Sequence, residues 1–181
     1  MKNIQVKIIS GKYKNQSLVS LSEQTRETSH VVRGAVFNML YSLSGSGLDL
    51  FAGSGAYGFE ALSRGLDKIT LNDVDKLAFQ SLKQNNLKLK TDARLYNMDY
   101  QELIITLVAS KEEFNYIFLD PPYHLDINPI IELVSPLLAS NGVIIAEMDK
   151  STNVSLSTND LSILKERVHG IKKIVIIKNV K

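Results

Sequence analysis

The tetrapeptide Asp120-Pro121-Pro122-Tyr123 closes the apolar run Tyr116-Ile117-Phe118-Leu119 and puts a carboxylate, an amide carbonyl and an aromatic ring at one strand terminus. Each proline has φ fixed at about −65° and no N–H. The pair therefore stiffens the turn and leaves the Asp120 carboxylate and the Pro121 carbonyl as acceptors, with Tyr123 as a stacking surface. That combination suits a flat, amino-bearing group. The same residues also suit an ordinary strand exit, in which Asp120 caps the next helix and the prolines end the strand.

A second segment, Leu48 to Gly58, reads as a buried strand running through a glycine turn into a helix over Ala56 to Arg64, with Gly65 past its end. Gly53 and Gly55 allow positive φ and close approach of a ligand, while the helix start offers free N–H groups and positive dipole charge to an anionic ligand group. The spacing Gly53-x-Gly55-x-x-Gly58, with Asp73 about 20 residues later, matches the dinucleotide fingerprint and admits an NAD-dependent oxidoreductase. Asp49 weighs against that reading, because its charge repels a pyrophosphate and welcomes an ammonium or sulfonium. S-adenosylmethionine carries both cations. Its carboxylate would meet the turn, its amino group would lie nearer Asp49, and its ribose hydroxyls would donate to Asp73. Phe51, Ala52 and Ser54 in the turn and Val74 beside Asp73 complete this candidate set.

The segments LDLFAGSGAYGFEALSRG, LNDVD and FNYIFLDPPY, in that order and spacing, resemble motifs of S-adenosylmethionine-dependent methyltransferases. Within that superfamily, Ile8 to Lys14, Thr25 to Thr28 and Val32 to Leu40 resemble the RsmD family, whose members methylate guanine N2 in small-subunit (16S) ribosomal RNA. The resemblance implies S-adenosylmethionine as methyl donor, S-adenosylhomocysteine as product, no metal, and Asp120, Pro121, Pro122 and Tyr123 as the catalytic motif. In the superfamily an acidic side chain and a backbone N–H after the third strand read the adenine edge, so the resemblance makes Met98 and Asp99 candidates. Asp99 equally suits capping of a helix over Gln101 to Val108. The chain departs from the family at Asn15, Gln16 and Ser17, where further basic residues are usual, and at Glu27 and Val31. A DNA or protein-glutamine amino group is the alternative acceptor, and a catalytically idle RNA-binding module is a further one.

Charge is distributed unevenly. Residues 1–40 hold six basic residues against two acidic ones, net +4, and the rest of the chain fifteen against seventeen, net −2. Affinity for a polyanion comes mostly from clustered Lys and Arg, so Lys12, Lys14, Arg26 and Arg33 are the expected RNA contacts, either on ribosomal RNA or on the assembling small subunit. With 181 residues and 44% hydrophobic content, one domain suffices: a basic arm over 1–29 and a core over 30–181. The chain has no cysteine and no run of about 20 apolar residues, which points to a cytoplasmic protein without membrane insertion; a monomer is expected.

The elements that must position these residues follow from periodicity. Short strands are expected near Gln5 to Ile9 and Ser17 to Val19, then a helix from about His30 to Leu43. Core strands are expected near 47–52, 68–73, 93–97, 115–120, 142–147, 161–168 and 171–178, with helices after the first five of these or before the sixth. Only His169-Gly170 separates the last two strands, which requires an antiparallel hairpin. Ser151 to Asn159 is polar enough to be a loop. The expected fold class is a Rossmann-like α/β methyltransferase with a seven-stranded, mostly parallel sheet, helices on both faces and a short N-terminal β arm. Its ligands belong at the carboxyl ends of the parallel strands, where Gly53, Asp73, Asp99 and Asp120 should converge.

Overall fold

The computed structural model describes residues 6–22 and 29–180. Arg26 and Gln5, which figure in the expected basic arm, lie outside them. The seven-stranded sheet contains β3 (Ser46–Asp49), β4 (Lys68–Asn72), β5 (Arg94–Tyr96), β6 (Phe114–Leu119), β7 (Leu138–Asp149), β8 (Leu161–His169) and β9 (Lys172–Asn179). Their spatial order is β5-β4-β3-β6-β7-β9-β8, parallel from β5 to β7, with β9 antiparallel to both β7 and β8.

Successive side chains on a strand point to opposite faces, and the central strands are apolar on both. Ile69, Leu71, Phe118, Ile145 and Ile174 pack on one face, whereas Leu48, Ile117, Leu119, Ile144 and Val175 pack on the other. Residues of α1 (His30–Leu40), α2 (Ala56–Ser63) and α3 (Lys76–Leu89) cover the first face; α4 (Tyr100–Ala109) and α5 (Ile127–Val134) cover the second.

Three expectations about element bounds are corrected. Helix α1 stops at Leu40 rather than Leu43, because Tyr41 turns to φ 58°. Strand β7 begins at Leu138, four residues before the expected start at 142. No helix lies between β7 and β8; residues 150–160 are held by short polar contacts, with Ser151 N–H donating to Asp149 Oδ1 (2.9 Å) and Asp160 N–H to Thr158 Oγ1 (2.9 Å). Side-chain acceptors of this kind compete with helical hydrogen bonding.

The N-terminal hairpin, β1 (Val6–Lys7) with β2 (Ser17–Leu18), is antiparallel and docks on α2 through a buried carboxylate. Glu60 accepts from the N–H groups of Ile9 (2.7 Å) and Ser10 (3.1 Å) and pairs with Arg64 (2.6 Å) and Arg33 (3.7 Å). Arg33 Nη2 also donates to the Lys7 carbonyl at 2.6 Å. Arg33 is 0% exposed, so it is removed from the RNA-contacting surface on which its charge had placed it; it holds the arm rather than the substrate. Asn85 fixes the hairpin exit to the glycine turn, exchanging hydrogen bonds with Val19 and donating to the Ser54 carbonyl at 2.9 Å.

Removing one member of a buried ion pair leaves the other charge uncompensated, at a cost of about 3–5 kcal/mol. Glu60→Ala is expected to destabilise the protein by about that amount. Urea unfolding measures the loss, and hydrogen exchange should show Ile9 and Ser10 amides losing protection.

Candidate active site

The glycine turn follows β3 directly. Gly53 (φ 55°) and Gly55 (φ 85°) both adopt the left-handed region, and Gly55 is the N-cap of α2. A side chain on Gly55 would meet the Phe59 ring at 2.4 Å, so the turn and its helix are built around the missing Cβ. Gly58 has the packing role: a Cβ there would lie 2.2 Å from Leu71, and only glycine lets α2 approach β4 this closely.

The carboxylates expected around a cofactor come together here. Asp73 Oδ2 accepts from Gly53 N–H (2.9 Å) and its Oδ1 from Asp75 N–H (2.9 Å), so the end of β4 is tied to the turn after β3. Asp49 is 2% exposed and accepts from Gly58 N–H at 3.1 Å. Burial pushes its pKa up to about 8; the Gly58 hydrogen bond opposes this, and Asp120 and Asp73 add to it by repulsion. Burial likewise raises Asp73. A carboxylate in such surroundings is relieved by a neighbouring cation. Phe51 is half-buried with its ring 5.3 Å from that of Tyr100, Ala52 and Ser54 are buried in the turn, and Val74 is 66% exposed beside Asp73.

The two residues expected at the adenine edge both have partners within the protein. Met98 N–H already donates to Asn72 Oδ1 at 3.1 Å, so it is committed inside the protein. Asp99 Oδ1 accepts from Gln101 N–H at 2.8 Å, making Asp99 the N-cap of α4. Asn72 is the residue sequence reasoning missed. It is 1% exposed, and its amide also donates to the carbonyls of Leu50 (3.2 Å) and Met98 (3.1 Å), clamping the ends of β3, β4 and β5 together. An amide at the buried end of an apolar strand, in Leu71-Asn72-Asp73, was the available signal.

Asp120 leaves β6 next to Asp49 on β3, where Asp49 pairs in register with Phe118. The following helix, α5, is capped by Asp126, whose Oδ1 accepts from Asn128 N–H at 3.0 Å. Asp120 is therefore not a helix cap. With Pro121, Pro122 and Tyr123 it lines a cavity of about 360 Å³ that also reaches Glu147 and Lys172. Tyr123 is 48% exposed.

Lys172 and Glu147 were also missed. Lys172 Nζ lies 2.8 Å from Glu147 Oε1 and 3.7 Å from Asp120 Oδ1, and 4.8 Å from the centroid of the Tyr123 ring. Glu147 is 2% exposed, and its Oε2 accepts from the Tyr57 hydroxyl at 2.7 Å. Tyr57 is fixed by Phe118, with ring centroids 5.5 Å apart. Burial works against the Lys172 charge, but the Asp120 and Glu147 carboxylates outweigh it and hold the ammonium above its ordinary pKa.

A glycine turn at a helix start, an acidic residue at each of two neighbouring strand ends and Asp-Pro-Pro-Tyr on the third fit the carboxylate, cations and ribose of S-adenosylmethionine. Together with the sheet order they define a Rossmann-like, S-adenosylmethionine-dependent methyltransferase. A family model described as Conserved hypothetical protein 95 matches residues 6–178. The chain is 34% identical over 175 residues to the ribosomal RNA small subunit methyltransferase D of Haemophilus influenzae, covering 92% of this chain and 90% of that one. It is 32% identical over 176 residues to the Escherichia coli protein of the same name, covering 92% and 86%. The solved structure of the Escherichia coli protein yhhF superimposes with a TM-score of 0.85 at 28% identity, covering 97% and 98% of the two chains. That of a Thermus thermophilus 16S rRNA N2 methyltransferase, RsmC, in complex with AdoMet and guanosine shares the fold, with a TM-score of 0.75 at 14% identity over 98% of this chain and 50% of that one. The chain belongs to the Conserved hypothetical protein 95 family, the RsmD family of methyltransferases.

The raised Asp49 pKa sets a pH dependence. The native chain keeps a proton that the unfolded chain releases near the ordinary value of 3.8. The resulting stability is complete below that value and is lost as pH rises through about 8. Urea unfolding of the ligand-free protein should show stability falling across this window, with a shallower fall in Asp49→Asn. An unchanged slope in the variant would place the proton elsewhere.

Proposed function

We propose that this chain transfers a methyl group to the exocyclic N2 of a guanine in small-subunit ribosomal RNA. The observation that carries the reading is that Asp120, in the wall of the Asp120-Pro121-Pro122-Tyr123 cavity, leaves β6 beside the Asp49 end of β3, so that an acceptor site and a cofactor site adjoin at the carboxyl ends of neighbouring central strands. The names of the methyltransferase D relatives support ribosomal RNA as the substrate. A buried carboxylate at Asp49 favours the cationic methyl donor over NAD.

When bound, S-adenosylmethionine supplies an already activated methyl and leaves as S-adenosylhomocysteine. Asp49, Phe51, Ala52, Gly53, Ser54, Gly55, Asp73 and Val74 hold it, while Met98 and Asp99 shape the adenine end through the clamp and cap they form. Asp120 and the Pro121 carbonyl accept hydrogen bonds from the guanine amino group. The nitrogen lone pair is delocalised into the base, and two acceptors that favour a pyramidal nitrogen restore nucleophilicity and aim it. As the N–C bond forms, the nitrogen becomes acidic, and its proton passes to Asp120 or to water. Pro122 stiffens the turn. Tyr123 stacks on the base, a contact worth roughly 1–3 kcal/mol in single-stranded sites. The base must therefore be unpaired or flipped out.

Lys12 and Lys14 are exposed in the loop of the docked hairpin and meet the RNA backbone; Arg26, outside the described residues, is a third candidate contact by its charge. The protein acts as a single-domain monomer in the cytoplasm. Among the described residues no helix is long and apolar enough to cross a membrane.

Asp120→Ala should lower the rate of methyl transfer by on the order of a thousandfold or more, since positioning and electrostatics supply most of the acceleration. Calorimetric affinity for S-adenosylhomocysteine should change less than about threefold, because Asp120 contacts the acceptor. Equal transfer rates in variant and parent would remove the mechanism. Replacing Lys12 and Lys14 together with Gln should weaken RNA binding and make the slope of log affinity against log salt shallower by about 1.4–1.8, the contribution of two phosphate contacts. An unchanged slope would clear the hairpin loop of that role.

A further inference from the structure

We infer that Lys172 reads the O6 of the target base and is the residue that makes the site specific for guanine; this deepens the function proposed above and rests on it. The ammonium is not a loose surface charge. Its side chain is 20% exposed, one of its N–H groups faces Glu147 Oε1 at 2.8 Å, and Glu147 is itself anchored by the Tyr57 hydroxyl. The chain Tyr57 to Glu147 to Lys172 thus fixes a cation at the wall of the Asp120 cavity, beside the Tyr123 ring. An ammonium has three donors and no acceptor; Glu147 and the Tyr123 side chain take two of them, and the third, with Asp120 Oδ1 3.7 Å away, remains for a ligand.

The order of groups along this wall matches one base edge. Lys172 offers a donor, Asp120 Oδ1, 3.7 Å away, offers an acceptor, and the other Asp120 oxygen with the Pro121 carbonyl offers further acceptors. Guanine presents O6 as acceptor, N1–H as donor and the N2 amino group as donor, in the same sequence. Adenine, with its amino group in the same place, puts the ring acceptor N1 against the Asp120 carboxylate and a C–H toward the ammonium. Cytosine places a ring acceptor against the Asp120 carboxylate. Each mismatch leaves a charged group facing a like partner, the kind of mismatch that gives a polar site large discrimination. A base lying on Tyr123 with its amino edge toward Asp120 meets Lys172 at O6, because N3 lies on the ribose side of the amino group.

Lys172 is accordingly a specificity residue that acts on the substrate, whereas Glu147 and Tyr57 are positioning residues. The test is a cycle of protein and base. Small-subunit particles are reconstituted from RNA carrying either guanine or 2-aminopurine at the position that the parent protein methylates. 2-Aminopurine keeps the N2 amino group but lacks O6 and the N1–H; loss of the N1–H acts through Asp120 and is common to both proteins. Lys172→Met should lower kcat/KM on guanine by roughly 10- to 100-fold, as for a lost hydrogen bond from a charged donor. On 2-aminopurine it should lower it by less than about threefold. Lys172→Arg, which keeps a donor cation, should recover part of the activity on guanine. Equal losses on both bases would overturn the inference, because a merely structural lysine lowers both alike. Calorimetric binding of S-adenosylhomocysteine checks that each variant is folded. If the parent protein labels no guanine N2 at all, the function proposed above fails, and the inference fails with it, a result distinct from equal losses.

Discussion

Three carboxylates, Asp49, Asp73 and Asp120, stand at the carboxyl ends of the adjacent parallel strands β3, β4 and β6, and their crowding is the constraint from which the site follows. Asp49 has no escape into solvent, and the charges of Asp120 and Asp73 add to what burial already does to it. Such a cluster is stable only with protons, cations or hydrogen-bond donors distributed among its members. The fold provides donors from the glycine turn at Gly53 and from helix α2 at Gly58, and a cation at Lys172. The charges at these strand ends suit a positively charged methyl donor beside β3 and β4 and an amino-bearing acceptor beside β6. Cofactor choice and acceptor choice are in this sense two consequences of one charge arrangement.

The rest of the architecture keeps that edge in register. Asn72 clamps three strand ends from within the core, so the turn after β3 and the cap of α4 are fixed relative to one another. On the outer face, Glu60 gathers Arg33, Arg64 and two backbone N–H groups to fasten the N-terminal hairpin on α2, the same helix whose first turn bounds the cofactor site. The basic loop is thereby fastened to the helix that follows the glycine turn. Asn85, which touches both Val19 and Ser54, makes the connection shorter still.

The parts legible in the sequence are those written in local pattern. The glycine turn, Asp73 and Asp-Pro-Pro-Tyr each follow an apolar strand, and the two-residue link around Gly170, expected at His169-Gly170 and found at Gly170-Ile171, leaves an antiparallel hairpin as the available geometry. The parts that were not legible depend on contacts between residues far apart in the chain. Glu147 and Lys172 meet because β7 and β9 pair antiparallel with Asp149 opposite Lys172, which brings Glu147 onto the same face as a diagonal neighbour. Arg33 carries the same charge as Lys12 and Lys14, and only the docking of Glu60 shows that it is internal. The environment of Met98 was hidden for the same reason, since the partner of its N–H, Asn72, arrives from another strand.

The most direct measurement is the chemical identity of the methylated product. Small ribosomal subunits lacking the modification are incubated with the protein and S-adenosylmethionine carrying an isotopically labelled methyl group, digested to nucleosides, and resolved by mass spectrometry. The structure and its charge arrangement predict the label in N2-methylguanosine. Label in a methylated adenine, a methylated cytosine or a protein amide would contradict the account.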